Sequence, residues 1–150
     1  MKKNKKVLFV SRTGLLEPIG QSQILSYLVP LSNFYSISII SFEKEKDLEN
    51  KLHLNSTFRI LEENDINWTY LKYLNKIKFL NFFVNYTELF IRTLQICSLQ
   101  KINCIHVRSY YPLLTVLAIN WLIKIPFIFD MRALWPEGLV EAGRLKKNGI

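Results

Sequence analysis

The feature that most constrains the fold is an alternation. Five short strand-forming runs are separated by stretches with helical spacing. The runs are Val7–Ser11 (VLFVS), Ile37–Phe42 (ISIISF), Asn67–Tyr73, Cys104–Arg108 (CIHVR) and Pro126–Arg132 (PFIFDMR). VLFV and FIF are apolar without a break, as expected of strands covered on both faces. Between the runs, QSQILSYLVPLS repeats Ile24, Leu25, Leu28 and Leu31 at helical spacing, with Pro30 near its end. The charged EKEKDLENKL predicts an exposed helix, Phe79–Gln100 a long one, and Tyr111–Ile123 a buried one leading into a buried strand. Strand and helix in strict turn predict an α/β fold: an open, doubly wound, mostly parallel, Rossmann-like sheet. A chain of 150 residues suits a single domain spanning 1–150.

The glycines say where the backbone has to be permissive. There are five, and none lies between Gln21 and Glu137. Gly14 and Gly20 sit in the loop after the first strand; Gly138, Gly143 and Gly149 follow the fifth. In a parallel sheet both places lie at the carboxyl edge, where open α/β sheets bind ligands. The first loop, TGLLEPIGQSQ, is not a Walker A loop: its glycine spacing is one residue too long, and Gln21 stands where lysine is required. The dinucleotide pattern GxGxxG is absent as well. Gly20, Gln21 and Ser22 then have two readings: a tight turn into the helix, or a helix amino terminus open to an anion.

Charges at the same edge are the other candidates. Arg108 and Ser109 follow the fourth strand; Arg108 is either a surface side chain or a bidentate grip on a phosphate or carboxylate. Asp130 and Arg132 share one face of the fifth strand. Buried under helices they would be costly, so they belong at the strand's end, either as a mutual ion pair or as the floor of a site. Trp135 and Glu137, in LWPEG just beyond, form a platform for a sugar or lipid. His106 reads as a core histidine and His53 carries no signal. Cys97 and Cys104 fit neither a zinc spacing nor CxxC and read as buried small hydrophobes; no metal-ligand cluster is visible.

The net charge of +8 is unevenly placed: Ile66 to Phe129 holds seven Lys or Arg and one acid, Glu88. This basic, aromatic zone is either a solvated face or a surface for an anionic membrane. In KYLNKIKFLNFFVNY, Lys72, Lys76 and Lys78 would contact headgroups beside Phe79, while Phe82 and Phe83 are expected to pack on the sheet. No transmembrane span or signal peptide is read, and nothing points to nucleic acid.

In order and spacing, KVLFVS…PIGQSQILSYLVPL…ISIISFEK and IHVRSYYP…PFIFDMRALWPEGLVEAG resemble the amino-terminal domain of retaining glycosyltransferases of the GT-B fold, family 4. The resemblance spans Lys6 to Gly143. It implies transfer of a sugar from a nucleotide sugar, a co-substrate, to a hydroxyl of a glycan or lipid-linked acceptor, with no bound cofactor or metal. It implies that Gly20, Gln21 and Ser22 approach the donor diphosphate and that Asp130 and Arg132 are catalytic. Arg108, Ser109, Trp135 and Glu137 then serve the acceptor, in a cytoplasmic protein at the inner face of the plasma membrane. The donor-binding domain of that family is not in this sequence. The expectation is therefore either a truncated product or a fragment that needs a partner chain, transferring no sugar alone, since catalysis requires both reactants to be held. The alternative is a non-catalytic Rossmann-like module that binds an anion or a membrane surface.

Overall fold

The computed structural model describes residues 5–74 and 78–132. The order is β1 (Lys6–Ser11), α1 (Pro18–Gly20), a π-helical turn (Gln21–Leu25), α2 (Ser26–Leu31), β2 (Ser36–Glu43), α3 (Glu45–Glu49), α4 (Lys51–Glu63), β3 (Asn67–Lys72), α5 (Lys78–Gln100), β4 (Cys104–Arg108), α6 (Tyr110–Ile123) and β5 (Phe127–Asp130). All five strands are parallel, in the order β3-β2-β1-β4-β5. This is the open α/β sheet that the alternation predicts.

Register explains both cores. Phe9 pairs with Ile39 and His106, and Ile39 pairs with Trp68, so these four share one face. There Phe9 and Ile39 meet Ile24, Leu25 and Leu28 of the first helical stretch and Leu61 of α4. One residue on, Val10, Ile40, Val107 and Phe129 turn to the other face, against Leu89 and Cys97 of α5 and Val116 of α6. Each fully buried side chain of this size contributes about 1.5–3 kcal/mol, so a one-residue slip of any central strand would forfeit both cores.

Three expectations change. Glu43, the first residue of the charged run that predicts an exposed helix, ends β2 and is fully buried. The helix after it is broken at Asn50, whose side chain caps α4 by accepting from the His53 amide. α4 itself extends to Glu63 on a narrow buried stripe, Leu54, Thr57 and Leu61. Finally, α6 is not buried throughout: it seats Pro112, Thr115, Val116 and Ile119 and leaves Trp121 83% exposed. β5 is an edge strand, with Ile128 58% exposed. No described helix is long and apolar enough to cross a membrane.

Candidate functional site at the carboxyl edge

β1 leads by way of α1 and α2 to β2 on one side, while β4 lies on its other side. The chain therefore reverses direction between β1 and β4, and the loops after these strands part to leave a crevice. Register fixes what stands there. Ser41, Ser11, Arg108 and Asp130 form one row across the sheet, with side chains on the α1–α2 face.

In that row Arg108 is only 3% exposed. Its Nη2 donates to Gln23 Oε1 at 2.7 Å and its Nη1 to the Gln23 carbonyl at 3.3 Å. Asp130 Oδ2 lies 3.9 Å from Arg108 Nη1, 3.9 Å from His106 Nε2 and 3.0 Å from Arg132 Nε. Asp130 and Arg132 are thus an ion pair that also stands at the rim. Burial, chiefly, pulls the His106 pKa down; Asp130 opposes this, and Arg132 and Arg108 add to it. His106 is therefore a neutral ring at pH 7, packed edge-on against Phe9 at 5.0 Å and close to Tyr27. The Tyr27 hydroxyl is pushed up to about 12, first by burial and then by the charge of Asp130.

The first loop is pinned from several sides. Glu43 accepts from the Leu15 amide at 2.7 Å, the Leu16 amide at 3.1 Å and the Ser41 hydroxyl at 2.7 Å. Burial nevertheless raises its pKa, outweighing these three bonds, with Glu17 adding a little. Gln21 donates to the Leu15 carbonyl and to Thr57, and the His53 ring lies against the Leu16 carbonyl. Glu17 pairs with Lys44. Thus the loop that enters the crevice is a fixed object.

This pinning favours the first of the two readings of Gly20, Gln21 and Ser22, a turn set by the backbone. A Cβ on Gly20 would lie 2.0 Å from the Gly14 carbonyl oxygen, so the glycine is required by backbone packing. The Gln21 amide is spent on the loop, and the Ser22 hydroxyl donates to the Pro18 carbonyl. None of the three lines the crevice. Gly14 likewise has no room for a side chain beside the Glu43 carboxylate and the Phe42 carbonyl.

The crevice itself lies on the other side of the rim, towards α5 and α6, with a volume of about 820 Å³. Its walls are aromatic: Phe42 meets Tyr73 and Tyr111, and Tyr111 meets Phe82 edge-on at 5.4 Å. Burial pushes the Tyr111 hydroxyl up to about 12, against the pull of Arg12. Three cations line it, Arg12, Lys44 and Arg132, against one carboxylate, Glu17. Ser109 lies at its floor with φ 76° and ψ 161°, a backbone suited to glycine. Its amide donates to the Asp130 carbonyl at 3.1 Å, joining the ends of β4 and β5.

Of the predicted residues, Ser109 and Arg132 face the crevice, while Arg108 and Asp130 stand behind it. Trp135, Glu137 and Lys76 lie outside the described residues; Lys78 and Phe79 open α5, and their side chains are not described. Lys72 is paired with Glu45 at 2.6 Å. Phe82 and Phe83 do not pack on the sheet: both are about half exposed on α5. Sequence reading missed Arg12, Lys44, Glu43, Gln23 and Tyr27. A signal existed for two of these: Gln23 and Tyr27 are four apart on a helix and face His106 and Arg108, two apart on a strand. Among the described residues no group of three His, Cys, Asp or Glu comes together as a metal site.

No family model matches the chain, and no curated protein does. Solved structures do share its fold. The C-terminal domain of a hydrogenase from Pyrococcus furiosus superposes with a TM-score of 0.56 at 14% identity, over 87% of this chain and 93% of that one. Ferredoxin-NADP+ reductase from Plasmodium falciparum gives a TM-score of 0.50 at 16% identity, over 86% of this chain and 53% of that one. Neither is a glycosyltransferase, and identities this low carry the fold alone: an open, parallel, Rossmann-like α/β domain.

Proposed function

We propose that this chain is the acceptor-side half of a retaining family 4 glycosyltransferase. The observation that carries the reading is the crevice at the switch point, about 820 Å³, aromatic-walled and cation-lined, with Arg132 in its lining and Asp130 paired to it from behind. Sugar rings pack on aromatic faces, and cations favour the charge of a departing diphosphate. In the transfer, the acceptor hydroxyl oxygen bonds to the anomeric carbon as the bond from that carbon to the diphosphate oxygen breaks. The hydroxyl proton leaves with the diphosphate or to water. Arg132 supplies positive field at the rim, and Asp130 fixes Arg132 and Arg108 in place. In this reading the donor is held by a second domain, and transfer requires both. The protein works in the cytoplasm against a membrane, with the half-exposed Phe82 and Phe83 of α5 towards the bilayer.

The test is to express the chain joined to the reading frame encoded after Ile150 and to follow labelled sugar from a panel of nucleotide sugars. Transfer that is lost in Asp130→Asn and Arg132→Ala, with the circular dichroism unchanged, supports the reading. No transfer from any donor, or variants that transfer as well as the parent, removes it. A second reading, a non-catalytic anion-binding module, is favoured by one observation: Arg12 has no acidic partner among the described residues.

A further inference from the structure

We infer that the crevice takes a phosphoryl-bearing ligand, with Arg12 as its anion clamp and the aromatic wall as the seat of an apolar or ring-bearing body. Arg12 follows β1 directly, at the switch point. Its guanidinium carbon lies 5.2 Å from the ring centre of Tyr73 and 5.3 Å from that of Tyr111. Nη2 donates to the Tyr73 hydroxyl at 2.5 Å. Two rings, one from the end of β3 and one from α6, thus order the fork without neutralising it. The other two cations are engaged, Lys44 by Glu17 and Arg132 by Asp130. Arg12 has no such counter-charge among the described residues, and it lines the crevice.

An ordered, uncompensated guanidinium fits a planar pair of oxyanion oxygens. With Lys44 and Arg132 paired, Arg12 is the uncompensated cation of the described lining, and a phosphoryl group suits it better than a carboxylate because it brings oxygens beyond the two that the fork takes. Thr13 and Ser109 stand in the same lining and can donate to further oxygens. Phe42, Phe82, Leu113 and Leu114 supply the apolar wall. Phe82 and Leu114 are also exposed on α5 and α6, so a long body can leave the crevice between these helices. The clamp rests on the proposed function for its location in the crevice; its test uses no sugar donor, so the two can fail separately.

Isothermal titration of the 150-residue chain with decyl phosphate, uridine diphosphate and inorganic phosphate tests the clamp. At least one of the two organic phosphates should bind ~10-fold tighter than inorganic phosphate, and Arg12→Gln should weaken it by at least ~10-fold with the urea midpoint unchanged. Tighter binding of decyl phosphate assigns the body to a hydrocarbon; tighter binding of uridine diphosphate assigns it to a nucleotide. Arg12→Lys, which keeps the charge and loses the fork, should recover only part of the affinity. Should Arg12→Gln fail to fold, Tyr73→Phe removes only the hydroxyl that holds Nη2 and should cost about 3-fold. Unchanged affinity in the folded variant, or no binding of either organic phosphate, overturns the assignment. Phosphate binding that persists where sugar transfer fails leaves the clamp and removes the transferase.

Discussion

Arg108 and Arg12 leave neighbouring strands one residue apart in register, since Arg108 pairs with Ser11. That single step sends them to opposite sides of the rim. Towards α1 and α2, Arg108 is buried, bonded twice to Gln23 and faced by Asp130. Towards α5 and α6, Arg12 is exposed and held by two tyrosines, with no acid paired to it among the described residues. One region is a closed electrostatic unit that fastens β4 and β5 to the first helix. The other keeps a charge in reserve. Positive residues at a strand edge are therefore not equivalent evidence of a site; the compensated ones hold the fold, and the uncompensated one is available to a ligand.

The contrast breaks most plainly under truncation. Arg108→Ala leaves Gln23 without its donor, takes the farther of two guanidiniums from Asp130 and opens a cavity, so it should cost about 2–5 kcal/mol in urea unfolding. Arg12→Ala should stay within about 1 kcal/mol. Equal losses would erase the distinction. Next in size is Gly20→Ala, which drives a Cβ into the Gly14 carbonyl and should cost about 1–3 kcal/mol; a neutral result would return Gly20 to the role of a simple turn.

Asp130→Asn should cost about 1–2 kcal/mol, less than Arg108→Ala because Gln23 still holds the guanidinium. It should also lower the His106 pKa further, because Asp130 is the one group that raises it. Imidazole proton shifts read this directly, and an upward move would contradict the cluster.

The smallest effect is a slope. Glu43 has its folded pKa raised above the ordinary value of 4.5. The folded state then holds the proton more tightly, so the stability from this group is present below pH about 4.5 and is lost as pH rises through the folded value. Glu43→Gln should remove that decline from a urea-midpoint profile between acid and neutral pH. A profile unchanged by the substitution would mean that Glu43 titrates like a free carboxylate.

Much of the scaffold was legible. VLFVS, ISIISF, CIHVR and FIFD are strands because continuous β-forming residues need cover on both faces, and that need is local to each run. Glu43 was not legible because the charged run that follows it hides a strand end whose partners, Leu15 and Leu16, lie in another loop. Gly20 kept two readings, a tight turn or an anion site, because the neighbour that requires a glycine there, the Gly14 carbonyl, comes into contact only once the loop folds back. Strand periodicity put Asp130 and Arg132 on one face but left open whether they pair; the strand ends at Asp130, and the two pair at 3.0 Å. Arg12 carried no signal at all, because Tyr73 and Tyr111 reach it only when β3 and α6 are in place.

The most direct measurement is a nitrogen-15 heteronuclear titration of the chain with decyl phosphate and uridine diphosphate. Amide shifts should concentrate at Arg12, Thr13, Ser109, Tyr111 and Arg132, with Gln23, Tyr27 and His106 quiet. Shifts centred on Gln23, Tyr27 and His106, or none at the rim with either compound, would contradict the clamp.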